Sequence, residues 1–367
     1  MNCLQVGVVG GGFIGKQHIE AIRRVPHTKV VALCERTLEI AKETATQMGI
    51  ESFYDNIDDM LKSHPELDII HNCSPSNLHY EISKKTLQAG VNVFCEKPFT
   101  LHSHESEELT TLVTTQNLMG AVSFNYRHNA MVEEMKEQVT SGKIGKIWFM
   151  DVQYLQDWLL FNTDYNWRVD STYGGFTRAL SDIGSHCFDT MQYILGEKIV
   201  AVLAKRFTLH PERINENGVF VKVENEDAAI VHVKFESGIE ALVRVSQVTS
   251  GRKNDFRILV EGTVQSLEWH QEQPDRLKFG NRDTGNVEIF ADSKYLTGTA
   301  KSKVNLPNGH AVGWADAFTN SIKSFYEAVR NGSTENSNCT KFKDAHHIMK
   351  IIDACVKSDE LCKWIDV

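Results

Sequence analysis

Leu-Gln-Val-Gly-Val-Val-Gly-Gly-Gly-Phe-Ile-Gly-Lys-Gln-His-Ile-Glu-Ala-Ile, residues 4–22, is the stretch whose reading decides the fold. Residues 6–9 are a short apolar run, the pattern of a parallel strand buried on both faces. Gly10, Gly12 and Gly15 follow at G-x-G-x-x-G spacing, and Ile14, Ile19 and Ile22 continue at helical intervals behind them. Strand, glycine turn and helix stand in the order of a dinucleotide-binding fingerprint. Gly10 allows the tight turn, Gly12 lets the backbone approach a pyrophosphate, and Gly15 lets the helix pack on the strand. The helix N-terminus supplies amide donors and partial positive charge for the phosphates, with Phe13 and Ile14 beside them. A second strand pattern, residues 29–33, ends in Cys34-Glu35-Arg36. Glu35 lies 20 residues after Gly15, where an acid meets the adenosine ribose. Arg36 is the adjacent residue that would accept a 2′-phosphate instead.

The length of 367 residues suggests about two domains. A formal net charge of -9 and the lack of a basic stripe exclude a nucleic-acid partner. No apolar run reaches about 18 residues, so no membrane span is expected. The chain enters a core strand almost at once, without a basic n-region or cleavage site, so a cytoplasmic location is expected. The eight cysteines (3, 34, 73, 95, 187, 339, 355 and 362) form no C-x-x-C pair. They read as reduced thiols rather than disulfides or a metal site.

Strand and helix patterns alternate through residues 1–124. Strands are expected at 52–54, 68–73, 91–95 and 121–123, and helices at 38–48, 57–61, 78–87 and 103–115. That alternation implies a parallel, doubly wound sheet with ligands at the carboxyl ends of its strands. The glycine turn, Glu35, Ser74-Pro75-Ser76-Asn77 and Glu96-Lys97-Pro98 all lie at such ends and are expected to converge. The pattern changes after residue 125. A helix (131–139), a strand (146–156) and an aromatic-rich stretch precede a helix that begins near Asp182 and stops at Gly196. Strand runs at 200–209, 226–235, 239–248, 256–260 and 265–269 leave no room for helices between them. They imply a large, mostly antiparallel open sheet. Two helices, 314–329 and 340–356, end the chain, and residues 331–338 read as a soft polar segment. The expected fold class is α/β: an N-terminal Rossmann doubly wound parallel sheet plus a C-terminal α+β domain. The division is a dinucleotide-binding domain, 1–124, and a substrate-binding and oligomerisation domain, 125–367, whose last helices can pack back toward the first. An uncovered apolar sheet face at 230–235 and 239–248 predicts a homo-oligomer.

Several residues are candidates for chemistry. Lys97 follows a strand end and precedes Pro98, which restricts it to extended conformations. It is either aimed from the crevice edge or an ordinary surface lysine. Asp182 and His186, four apart, share a helix face. A carboxylate beside an imidazole orients its tautomer and raises its basicity, which suits proton removal from a secondary alcohol. Asp189 is a second possible partner for His186. Against this, Asp182 as a helix N-cap and the trio as metal ligands are competing readings. Trp158 and Trp167 suit either a sugar platform or an aromatic core. His310, in Pro307-Asn308-Gly309-His310, is either a substrate contact or an unremarkable polar residue.

Taken together, these stations resemble the Gfo/Idh/MocA family, the glucose-fructose oxidoreductase and inositol dehydrogenase group. The likeness rests on the glycine turn with His18 downstream, Ser74-Pro75-Ser76-Asn77-Leu78-His79, Glu96-Lys97-Pro98, Trp167-Arg168, and Asp182-Ile183-Gly184-Ser185-His186-Cys187-Phe188-Asp189. The resemblance implies an NAD cofactor held by the Rossmann domain, with Ser74, Pro75, Asn77, His79, Glu96 and Lys97 joining the glycine turn. It implies that Lys97, Asp182 and His186 are the catalytic set, and that Tyr126, Trp158, Trp167, Arg168 and His310 join them around a carbohydrate substrate. His186 would take the hydroxyl proton, Asp182 would tune it, and Lys97 would steady the reacting oxygen. Gln156-Asp157-Trp158-Leu159-Leu160 and Gly309-His310 before Gly313-Trp314-Ala315-Asp316-Ala317-Phe318 are similar to a narrower branch, levoglucosan dehydrogenase and oxidases of glucoside ring carbon 3. The reading is an NAD-dependent dehydrogenase of a pyranose or glycoside, without a metal. An inositol dehydrogenase is the alternative, and an NAD-binding sensor without turnover is an alternative of another class.

Overall fold

A computed structural model describes residues 3–307, 309–333 and 337–367. Asn308 of the His310 loop, and Thr334 to Asn336 within the soft polar segment, lie outside the described residues.

The chain divides into two compact units, the first built from residues 1–124 and 318–349. Its order is β1 (Leu4–Val9), α1 (Phe13–Arg23), β2 (Thr28–Cys34), α2 (Leu38–Met48), β3 (Ser52–Tyr54), α3 (Ile57–Ser63), β4 (Ile69–Asn72), α4 (His79–Gln88), β5 (Asn92–Cys95), α5 (Ser103–Thr115) and β6 (Gly120–Val122). The six strands are all parallel, in the order β3-β2-β1-β4-β5-β6. This is the doubly wound arrangement, whose strand order reverses beside β1. Val6, Val8 and Val9 are buried, as a strand covered on both faces requires. The register places Val9 against Cys34 and Asn72, and Asn72 against Cys95. The carboxyl ends of β1, β2, β4 and β5 therefore finish level, which brings the turns that follow them together. Helix α2 shows why the boundaries were legible. Thr37 caps it by accepting from Ile40 N, and Gly49 ends it at φ 60°.

The second unit holds residues 125–317 and 350–367. It contains α6 (Ala130–Thr140), β7 (Ile147–Leu155), α7 (Ser171–Gly174), α8 (Ser185–Leu195), β8 (Ile199–Phe207), β9 (Glu212–Ile214), β10 (Phe220–Lys222), β11 (Ala228–Phe235), β12 (Glu240–Ser246), β13 (Asp255–Gly262), β14 (Ser266–His270), β15 (Gln273–Gly280) and β16 (Val287–Phe290). Helices α9 (Trp314–Asn331) and α10 (Phe342–Leu361) and strand β17 (Ile365–Asp366) end the chain. Nine strands form one sheet, in the order β16-β15-β14-β13-β7-β12-β11-β8-β17. Only β7 and β12 pair in parallel; the other neighbours are antiparallel. Burial alternates along β11 and β12, with Ala229, Val231, Val233, Ala241, Val243 and Val245 facing the core. The opposite face is not uniformly apolar, which corrects the sequence expectation. Ile230 stands opposite Arg244, His232 opposite Leu242, and Lys234 opposite Glu240, so apolar and charged side chains alternate across it.

Candidate active-site residues

In the first unit the glycine turn has the geometry its spacing predicts. Gly10 adopts φ 89°, and a Cβ there would fall 2.6 Å from the Cys73 carbonyl oxygen. A Cβ on Gly15 would fall 1.9 Å from the Gly10 oxygen, so α1 packs against the turn only without one. At Gly12 no atom lies within 4 Å of the Cβ position, which leaves open space for a ligand. No side chain caps the start of α1, and its first amides are left for an anion. Phe13 is 78% exposed at this edge and Ile14 is half-buried. Glu35, at the end of β2, accepts from Gly11 N at 2.5 Å and from Arg36 N at 3.2 Å. Its carboxylate is thus fixed against the turn, while the Arg36 side chain is exposed.

After β4, Ser74 is anchored by its hydroxyl donating to Asn72 Oδ1 at 2.7 Å, and Pro75 is exposed. Asn77 Oδ1 is buried and accepts from no donor among the described residues, an acceptor suited to a bound molecule. His79 is 1% exposed, with Nδ1 2.7 Å from the Pro98 oxygen and Nε2 2.9 Å from the Ser74 oxygen. It braces two loops, and burial lowers its pKa below the ordinary range. Glu96 is buried; one oxygen lies 3.0 Å from His18 Nε2 and the other accepts from Lys97 N at 3.2 Å. Burial would raise its pKa, but His18 and the neighbouring Lys97 charge outweigh it and bring it down to about 2. Lys97 is half-buried, and its bond to Pro98 is cis. Gly12, the capless helix start, the Glu35 carboxylate and the Asn77 acceptor together fit a dinucleotide: open backbone for pyrophosphate, an acid for ribose, and a spare polar atom beyond.

In the second unit, residues Leu180–Gly184 form a π-helical turn that leads into α8. Asp182 is inside this turn, its own amide donating to the Arg178 oxygen at 2.8 Å, so the N-cap reading is wrong. A π turn widens the helix locally, a device that recurs at functional sites. Asp182 Oδ2 accepts from Gln247 Nε2 at 2.7 Å, and Oδ1 lies 3.7 Å from Arg168 Nε. The Arg168 guanidinium in turn lies 4.3 Å over the Trp167 ring, which joins three of the expected residues in one cluster. His186 is 5% exposed, and its ring packs edge-on against Tyr126 at 4.8 Å.

Both oxygens of Asp189, read from the sequence as a second possible partner for His186, receive the Arg127 guanidinium. Tyr126 is 2% exposed and forms the floor beneath His186. Its hydroxyl lies 2.7 Å from the Tyr154 hydroxyl and accepts from Asn254 Nδ2 at 3.2 Å. Tyr154 donates on to Asn254 Oδ1 at 2.5 Å, closing a triangle. Burial pushes the Tyr126 hydroxyl up to about 12, so it stays protonated. Trp158 is partly exposed, and its indole donates to Gln156 Oε1 at 2.9 Å. His310 is exposed, its Nδ1 3.0 Å from the Pro307 oxygen of its own loop.

Sequence reading passed over Gln247, Asn254, Tyr154 and the pairing of His18 with Glu96. His18 left one signal: it falls on the same buried stripe of α1 as Ile19 and Ile22, where a polar residue needs a partner. Among the described residues no cluster of three or more His, Cys, Asp or Glu could hold a metal ion. No helix among them is long and apolar enough to cross a membrane.

The chain matches the model of the GFO/IDH/MocA oxidoreductase family, NAD-binding Rossmann fold, over residues 4–124. It matches the GFO/IDH/MocA C-terminal domain over residues 132–268. It is 27% identical over 401 aligned residues to levoglucosan dehydrogenase of Pseudarthrobacter phenanthrenivorans, covering 100% of this chain and 99% of that one. It is 28% identical over 335 residues to myo-inositol 2-dehydrogenase of Thermotoga maritima, covering 90% and 89%. A solved structure of levoglucosan dehydrogenase in complex with NADH and levoglucosan superposes with a TM-score of 0.92 at 27% identity, covering 99% of each chain. With both models of one family together spanning more than half its length, and the glycine turn and Glu35 formed as that fold requires, the chain belongs to the Gfo/Idh/MocA family of NAD-binding oxidoreductases.

Proposed function

We propose that the chain is an NAD-dependent dehydrogenase acting on a ring secondary alcohol of a pyranose sugar or glycoside, with carbon 3 the carbon oxidised. The observation that carries this reading is the fixed pair on the π turn and α8. Asp182 is held from two sides by Gln247 and Arg168, and His186 is seated on the Tyr126 ring. A constrained carboxylate one turn from a constrained imidazole is an arrangement for moving a proton, and a sugar hydroxyl is the group that gives one up. His186 takes the hydroxyl proton, Asp182 favours the protonated imidazole that results, and the Lys97 ammonium steadies charge developing on the oxygen. NAD, when bound, supplies the acceptor for the hydride leaving carbon. Trp158 and Trp167 offer aromatic faces for a pyranose ring. Residues 1–124 serve NAD binding, and residues 125–367 serve substrate binding and assembly. Similarity to myo-inositol 2-dehydrogenase along most of the chain favours one second reading, the same chemistry on a cyclitol. A screen of pyranosides, levoglucosan and inositols, following absorbance of the reduced cofactor, tests the reading. Pyranoside turnover is expected; inositol turnover alone would move the assignment to the second reading.

NAD is expected to bind more tightly than NADP. Glu35 is pinned by the Gly11 amide, and a 2′-phosphate would meet its charge. Two like charges about 4 Å apart cost about 4 kcal/mol at an effective dielectric of about 20. Equal dissociation constants in titration would show that Arg36 outweighs Glu35.

The protein is a homo-oligomer of the cytoplasm. The location rests on the eight thiols, none of them in a disulfide among the described residues and six of them buried. Assembly rests on the second sheet's open face, where Ile230 is 42% and Leu242 37% exposed among matched charges. Light scattering at micromolar concentration should give a mass at least twice that of one chain; a single-chain mass would sink the expectation.

A further inference from the structure

A line of buried side chains in the first unit ends beneath Lys97, and the proton transfer described above does not use it. One oxygen of Glu96 lies 3.0 Å from His18 Nε2. His18 Nδ1 lies 2.6 Å from His71 Nδ1, and His71 Nε2 lies 2.7 Å from the Tyr326 hydroxyl. The line joins the turn after β5 to α1, β4 and α9. His18, His71 and Tyr326 are each 0% exposed. Phe318 and Phe94 wall it, with ring centroids 4.8 Å from His18 and 4.9 Å from His71 respectively.

Each link holds one proton between two groups, so the ends fix the direction of the whole. Glu96 is a carboxylate and can only accept. Burial, with His18 nearby, keeps His71 neutral with a single ring hydrogen. Burial keeps the Tyr326 hydroxyl protonated. With a single hydrogen on its ring, His18 must donate to Glu96 through Nε2, which leaves its Nδ1 to accept. His71 must then donate through Nδ1, which leaves its Nε2 to accept from Tyr326. Every proton in the line points toward Glu96, and the other Glu96 oxygen accepts from the Lys97 amide at 3.2 Å.

We propose that His18 is a positioning residue for Lys97, acting through the Glu96 carboxylate, with His71 and Tyr326 fixing its tautomer. The inference rests on the assignment of Lys97 to catalysis. A buried carboxylate that loses its His18 donor must protonate or turn to another donor. Either change reorients the carboxyl group, whose other oxygen holds the Lys97 amide, and so shifts where that side chain starts. A displacement of about 1 Å at a catalytic group can cost about 10²-fold in rate. A line that merely filled the core would lower stability when cut and leave kcat unchanged.

Two readouts test this. In the ¹⁵N-histidine-labelled protein at mildly alkaline pH, NMR should show opposite tautomers: hydrogen on Nε2 of His18 and on Nδ1 of His71. The reverse pattern, or the same tautomer in both rings, overturns the inference. In turnover, His18→Leu should lower kcat about 10²-fold while the KM for NAD changes little. His18→Gln, whose amide can donate to Glu96 and accept from His71, should recover most of that loss. Wild-type kcat in His18→Leu overturns the inference, as does a His18→Gln enzyme no better than His18→Leu. If His18→Leu does not fold, the tautomers and the kcat of His18→Gln, expected near wild type, decide. Full turnover in Lys97→Ala would overturn the catalytic assignment and this inference together, whereas reversed tautomers would overturn this inference alone.

Discussion

Lys97→Ala should fold, bind NAD with a nearly unchanged Kd, and lose about 10²–10³-fold in turnover, the usual cost of removing one donor to a developing oxyanion. The fold should survive because the turn is held by groups that the substitution leaves in place. Glu96 keeps His18 and the residue-97 amide, and His79 still bridges the Ser74 and Pro98 oxygens. NAD binding should survive because the glycine turn and Glu35 do not depend on the ammonium. Calorimetric titration with NAD beside steady-state kinetics separates the two effects. Near-normal turnover would return Lys97 to the status of a surface residue.

His186→Ala should cost more and should also change the pH dependence. A general base contributes about 10²–10⁴-fold. An imidazole accepts the alcohol proton only when neutral, and free imidazoles become so above about pH 6.5. Alcohol oxidation should therefore strengthen as pH rises through neutrality, and ketone reduction, which needs the protonated ring, should weaken over the same range. The variant should lose both slopes along with most activity. A variant that kept the rising oxidation profile would assign the base elsewhere. The Tyr126 hydroxyl, held up at about 12 by burial, is no substitute near neutral pH.

Much of the first unit was legible because its signals are local. Thr37 and Gly49 bound α2, Gly10 and Gly15 are demanded by backbone contacts a few residues away, and the valines of β1 announce a strand covered on both faces. The second unit depends on partners distant in sequence. Strand β15 contains Pro274 and several charges, and its only buried residue is Leu277; it becomes a strand through its pairing with β14. Strands β9, β10 and β17 are two or three residues long and carry too few positions to show a period. The parallel pairing of β7 with β12 breaks an otherwise antiparallel order and leaves no mark on either strand alone.

The candidate site divides the same way. Residue types and spacing pointed to Asp182 and His186, but a π turn has no side-chain pattern to set it apart from an α-helical one. The partners that set the roles of these residues lie far off in the chain: Gln247 is 65 residues from Asp182, and Arg127 is 62 from Asp189. Tyr126, expected at the substrate, lies beneath His186 in a triangle with Tyr154 and Asn254. That triangle is 128 residues wide in sequence and carries no motif.

The central claim is hydride transfer from a ring carbon to NAD, and isotope transfer tests it most directly. The protein is incubated with NAD and a glucoside carrying deuterium on carbon 3, with the same substrate labelled at another ring carbon as control. Mass spectrometry of the nicotinamide should find one deuterium only with the carbon-3 label, together with a 3-keto sugar product. Label arriving from a different carbon would contradict the regiochemistry. No label in the cofactor from any pyranoside or inositol, with NAD firmly bound, would contradict the dehydrogenase itself and leave a protein that senses the dinucleotide without turning over.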